Sequence, residues 1–167
     1  MPTLHLLRHA KSSWKTGDPD HERPLSGRGR RAAKAIRRHL QEQGIEPELV
    51  LCSSARRTRE TLERIESAVG AADVRIEREL YGASSHALLD RLRALPDAVG
   101  SVMLIGHNPA LEQLALQLAR PGPERQQLEE KFPTAALATL EFGASNWSGL
   151  APGTAELTGF VRPRDLE

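Results

Sequence analysis

The 167-residue chain holds one cysteine, Cys52, so no intramolecular disulfide can form and no cysteine-based zinc site can be built. Aromatic residues make up only 4% of it, too few to interleave with basic residues as a nucleic-acid groove requires. Neither sign of charge dominates: 23 Lys+Arg against 22 Asp+Glu leave +1, a balance that selects no partner. No apolar run approaches the ~20 residues of a membrane span. The opening "MPTLHLLRHAK" has no basic stretch ahead of its short apolar run, as a secretory signal would. A soluble cytoplasmic protein is expected, binding neither membrane nor nucleic acid. No internal repeat interrupts the chain, and its length suits one domain that buries a real core.

What is present is an alternation of strand-like and helix-like patterns. Residues 3–7 and 49–53 read as strands, and Cys52 inside "LVLCS" is expected to be a buried thiol. Lys11 to Pro24 reads as a long polar loop. Helical spacing of Ala32, Ala33, Ile36 and Leu40 marks a helix over about 27–43, closed by Gly44. Leu62, Ile65 and Val69 mark a second helix, stopping at Gly70. Residues 74–80 alternate like an edge strand, and Leu88, Leu89, Leu92 and Leu95 precede Pro96 as a third helix. "SVMLIG" (101–106) is continuously apolar, as in a central strand covered on both faces. A helix follows, with Asn108 as N-cap and Pro109 at its first position. Residues 120–131 read as a charged Pro/Gly loop, and 136–142 and 155–160 as further strands within a Gly- and Pro-rich end. The pattern predicts an α/β three-layer sandwich, a mostly parallel central sheet with helices on both faces.

Such sheets bind ligands at the carboxyl ends of their strands. There the first strand delivers Arg8 and His9, the second opens "SSARRTRET" (53–61), and the central one runs into "GHNP" (106–109). Cations and imidazoles beside a helix N-terminus suit a phosphoryl group. The basic run Arg28, Arg30, Arg31, Lys34, Arg37 and Arg38 reads as a solvated helix flank. His5, His21, His39 and His86 have no comparable setting.

Together "LLRHAKSSW", "DHERPLSGRGRRAA", "LCSSARRTRETLE" and "LIGHNP" resemble the histidine phosphatase superfamily, and within it the small bacterial SixA-like phosphohistidine phosphatases. The resemblance spans nearly the whole chain and implies a single domain over 1–167 with a phosphoglycerate mutase-like fold. It implies that His9 is the nucleophile, forming a phosphohistidine intermediate, and that Arg8 holds the phosphate beside it. Ser53, Arg57 and Thr61 fit the family spacing, which makes Arg57 rather than Arg56 the pocket arginine. His107 resembles the second histidine, donating to phosphate, with Asn108 beside it in substrate binding. A neutral imidazole is a competent nucleophile near pH 7, provided its rear nitrogen holds the proton, so a backbone carbonyl should accept from His9. Two arginine forks neutralise phosphoryl oxygens, so neither metal nor cofactor is expected.

Two departures from the family pattern stand out. Ala10 replaces the glycine common after Arg-His, a marker of the SixA-like branch. Glu79 is the nearest candidate for the general acid, with Glu77 behind it, and neither fits the familiar spacing. An alkoxide leaving a phosphate ester needs a proton, whereas imidazole leaving phosphohistidine needs little help. The expected substrate is therefore phosphohistidine on a protein, such as a histidine phosphotransfer domain. The alternatives are a small phosphorylated metabolite, with Glu79 as acid, or a non-catalytic phosphate-binding module. No spare apolar stripe is left for self-association, and a monomer is expected.

Overall fold

The computed structural model describes residues 2–144 and 146–166. Strands β1 (Thr3–Arg8), β2 (Leu49–Ser53), β3 (Asp73–Glu77), β4 (Ser101–Gly106), β5 (Leu137–Phe142) and β6 (Ala155–Val161) form one sheet in the order β3-β2-β4-β1-β5-β6. The first four pair in parallel, while β5 and β6 are antiparallel additions beyond β1. Pleating divides each strand between two cores. Leu4 and Leu6 of β1 face one way, with Leu51 and Leu104, beneath α3 (Ser85–Arg93), α4 (Ala110–Leu118) and α5 (Pro123–Glu130). Leu7 faces the other way, with Val50, Cys52 and Met103, beneath α1 (Gly27–Glu42) and α2 (Arg56–Val69). The expected three-layer sandwich is thus formed. No helix among the described residues is long and apolar enough to cross a membrane.

The register gathers several segments at one end of the sheet. Arg8 pairs with Gly106 at the carboxyl ends of β1 and β4, and Leu7 pairs with Leu137 at the start of β5. Leu137 in turn pairs with Val161 at the end of β6. Residues 8–9, 53–57, 106–108, 132–136 and 161–164 therefore share the end where α1 begins.

Helix α1 starts so close to β1's exit that only glycine fits its third position. Ser26 caps the helix by accepting from the Gly29 N–H at 3.0 Å, and its own N–H donates to the Lys11 carbonyl at 2.9 Å. A Cβ on Gly29 would stand 2.0 Å from that same carbonyl oxygen. Gly29→Ala should therefore cost about 1–3 kcal/mol of unfolding free energy, as overpacking against rigid backbone does. Urea denaturation measures it, and an unchanged midpoint would show that the Lys11 segment yields freely.

Local patterning misled in four places. Residues 123–130 form helix α5 rather than loop, because its one buried side chain, Leu128, leaves no visible period. The edge strand stops at Glu77, and Arg78–Leu80 winds into a one-turn 3-10 helix that turns the chain back over the sheet end. Helix α4 begins at Ala110 with Pro109 as N-cap, one residue later than expected. The Gly- and Pro-rich segment after Gly143 is anchored by fully buried Trp147, whose indole donates to the Val99 carbonyl at 2.7 Å.

Candidate active site

His9 leaves the end of β1 with its N–H donating to the Gly106 carbonyl at 3.1 Å, and only 7% of it is exposed. Its Nδ1 lies 2.7 Å from the Ala10 carbonyl oxygen. A carbonyl can only accept, so Nδ1 carries the proton and Nε2 keeps its lone pair. Burial pushes the imidazole down to about 3, aided by His107, Arg57 and Arg8 and opposed by the Ala10 hydrogen bond. At neutral pH it is an uncharged imidazole with its tautomer set and Nε2 unprotonated.

The small residues of "SSA" let α2 start directly against β1's exit. Thr61 joins the two motifs: its hydroxyl accepts from the Ala10 N–H at 3.0 Å and donates to the Arg57 carbonyl at 2.7 Å. Helical spacing then turns Arg57 inward with Thr61, and Arg56 outward with Glu60, its ion-pair partner at 2.9 Å. Arg57 is buried, and its guanidinium donates to the Asp20 carbonyl at 2.8 Å and to the Asp20 carboxylate at 3.1 Å.

His107 follows β4 with its ring centroid 5.3 Å from that of His9. Its Nε2 lies 2.7 Å from the Ser53 hydroxyl, which already accepts from the Ala55 N–H. The Ser53 proton has no other acceptor among the described residues, and donating it to Nε2 puts the His107 proton on Nδ1. That Nδ1 and Arg8 Nε are buried without a hydrogen-bond partner among the described residues. Unpaired buried donors are costly, and an anion's oxygens would satisfy both. Burial and then Arg57 hold His107 down at about 4.

A family model for the histidine phosphatase superfamily (branch 1) matches residues 4–84. An uncharacterized protein of Mycobacterium tuberculosis is 36% identical, over 95% of this chain and the whole of that one. Of solved structures, one from Nakamurella multipartitia bearing the name phosphohistidine phosphatase SixA is 32% identical, with TM-score 0.83 over 97% of this chain and 96% of its own. The chain belongs to the histidine phosphatase superfamily, in its SixA-like branch. A second structure bearing the SixA name, from Agrobacterium tumefaciens, is 32% identical with TM-score 0.81, over 98% of this chain and 99% of its own.

Membership makes the chain a phosphatase, and the SixA-like scaffold brings Arg8, His9, Arg57 and His107 together. Asn108 stands beside them in a supporting position. Its Nδ2 donates to the Phe132 carbonyl at 2.9 Å and its Oδ1 accepts from the Glu112 N–H at 3.3 Å. The same Phe132 carbonyl accepts from Arg8 at 3.0 Å, so Asn108 helps orient that arginine. Glu79 is exposed on its one-turn helix and has no hydrogen-bond or ion-pair partner among the described residues. Glu77 is engaged elsewhere, forming a two-point pair with Arg91 at 2.7 Å on each oxygen.

The sequence reading missed what the loop of residues 11–24 does in this SixA-like fold. A one-turn 3-10 helix, Asp20–Glu22, lays the Asp20 carboxylate over Arg57, where it also accepts from Arg23 at 3.0 Å and Tyr81 at 2.5 Å. The Tyr81 hydrogen bond, followed by the arginines, lowers Asp20 to about 2. His21, expected to lack a functional setting, reaches the Ser54 hydroxyl at 2.9 Å and packs edge-on against Tyr81. Tyr81 in turn lies edge-on to His107 at 5.7 Å. Only the run "DHE" between Pro19 and Pro24 could have drawn attention to this loop.

Buried His5 and His9 and half-buried His107 set the acid limb of stability. His5, bonded to Thr139, is lowered to about 4 by burial, beside His107 at about 4 and His9 at about 3. Their folded values lie below the unfolded ~6.5, so the unfolded state binds more protons in between. The stabilisation is complete above ~6.5 and is lost as pH falls towards 4, by up to about 1.4 kcal/mol per pH unit for each histidine. Asp20 adds its own loss only below ~4. Urea midpoints should fall between pH 7 and 5, and His5→Gln should flatten the fall. A flat profile would contradict neutral burial.

Proposed function

We propose that this phosphatase hydrolyses phosphohistidine carried on a protein, through a phosphohistidine intermediate on His9. The observation that carries the reading is the state of Asp20. Folding lays it over Arg57, and Tyr81, Arg23 and Arg57 hold it ionised, so it has no proton to give. A site without a poised acid suits a leaving group that needs none.

For phosphohistidine no proton has to move in the first step. His9 Nε2 attacks phosphorus as the substrate P–N bond breaks, and the departing ring, protonated on its far nitrogen, leaves as neutral imidazole. Arg8, Arg57 and the His107 Nδ1–H meet the charge on the three equatorial oxygens. Water then attacks phospho-His9. That P–N bond breaks, its electron pair returns to Nε2, and phosphate departs with both water hydrogens.

A side-by-side assay tests the reading. A histidine-phosphorylated phosphotransfer domain should be cleaved with kcat/KM at least about 10²-fold above that for a panel of alkyl phosphates, the share a missing general acid accounts for. Glu79→Gln should slow the phosphohistidine reaction by less than about tenfold, below a general acid's usual contribution. Preference for an alkyl phosphate, with a large Glu79→Gln loss on it, would establish the small-metabolite alternative.

A further inference from the structure

The net charge of +1 conceals a polar molecule. A groove of about 710 Å³ runs between the first turns of α1, the segment around Lys131–Thr134 and the one-turn 3-10 helix after β6. It is lined by Lys11, Arg28, Arg31, Lys131, Arg162 and Arg164, against a single lining carboxylate, Glu130. With those six cations set aside, the rest of the chain is net acidic. Arg162 is the one of the six with an ion-pair partner among the described residues, Asp165 at 3.0 Å. The others stand exposed and unpaired, so the run read from sequence as a solvated flank in fact gives two of its arginines to a concave surface.

Place in the fold connects this groove to catalysis. Lys11 is two residues beyond His9, and the Ala135 N–H donates to the carbonyls of both Arg8 and His9 at 3.1 and 3.0 Å. The sheet register puts the start of β5 and the end of β6 at the same edge as the end of β1. The groove therefore flanks the nucleophile on the β5–β6 side, opposite Asp20 and Arg57 on the β2 side.

We infer that this groove is the docking surface for an acidic face of the protein that carries the phosphohistidine. The inference rests on the protein-substrate reading above. Charge complementarity selects the partner: five cations in one groove, unpaired among the described residues, raise the local concentration of an acidic surface and orient it. A nucleic acid fits poorly, because the lining has no aromatic side chain for bases to stack on. Alanine, proline and threonine between the cations, Ala32, Ala35, Pro133, Thr134 and Pro163, offer a surface for side-chain packing.

The test uses two phosphohistidine peptides that differ only in a flanking run of glutamates or glutamines. The glutamate peptide should be cleaved with kcat/KM about tenfold higher, through KM, and the advantage should vanish above ~0.5 M salt. The double variants Arg28→Glu/Arg31→Glu and Lys131→Glu/Arg164→Glu should each abolish the preference while hydrolysing phosphoramidate as the wild type does. Fluorescence anisotropy with the unphosphorylated glutamate peptide reads docking without catalysis, and the variants should weaken that binding about tenfold. Equal binding of both peptides, or equal binding by wild type and variants, would overturn the docking surface. So would tighter binding of a single-stranded oligonucleotide. If alkyl phosphates alone are hydrolysed, the proposed substrate fails, while the anisotropy result still decides whether an acidic chain docks in the groove.

Discussion

His9→Ala is expected to leave a folded protein whose turnover has fallen at least about 10³-fold, whatever the phosphorylated substrate. The loss follows from a single atom. His9 Nε2 is the lone pair left free once Nδ1 is tied to the Ala10 carbonyl at 2.7 Å. His107 cannot replace it, because its Nε2 is occupied by Ser53 at 2.7 Å. Folding should survive, because β1 is held by its pairing with β4 and β5 and not by the imidazole. Urea unfolding of the variant separates lost chemistry from lost structure. In the wild type, rapid quenching with labelled substrate should trap acid-labile, base-stable label on His9. Undiminished turnover in the folded variant would sink the mechanism.

The second large effect separates two adjacent arginines. Arg57→Ala should lower kcat/KM at least about 10²-fold, the ~3 kcal/mol of a charge contact made to the transition state in a water-poor site. Arg56→Ala should change it less than about threefold, since an exposed i,i+4 pair contributes only a few tenths of a kcal/mol. Arg57 also holds the loop of residues 11–24 through both Asp20 contacts, so Arg57→Lys is the informative companion. It keeps the charge but not the two-pronged fork, and should fall between wild type and alanine. The opposite ranking of the two alanine variants would place Arg56 at the phosphate.

Sequence by itself determined what periodicity encodes. Continuous apolar runs against helical spacing separate strands from helices, and parity along β1 assigns Leu6 and Leu7 to different cores. The family spacing of Ser53, Arg57 and Thr61 singled out Arg57 before any coordinate, and the fold turns it inward with Thr61 and leaves Arg56 outside with Glu60. His9 and His107 were legible because each ends a strand, and parallel strands of one sheet deliver their ends to one place.

Tertiary structure alone decided the rest, where a residue's role depends on a polar partner distant in the chain. Asp20 meets Arg57 across 37 positions and Tyr81 across 61, in a loop whose residues share no buried face and so no period. Helix α5 stayed hidden because Leu128 is its only buried residue. The basic groove collects cations from segments at both ends of the chain, and summed charge erases it. Hydrophobic burial leaves a repeating mark along the chain because every turn or pleat must face the core. A hydrogen bond or a charged surface needs only two or three groups to arrive together, and that arrival is a property of the folded topology.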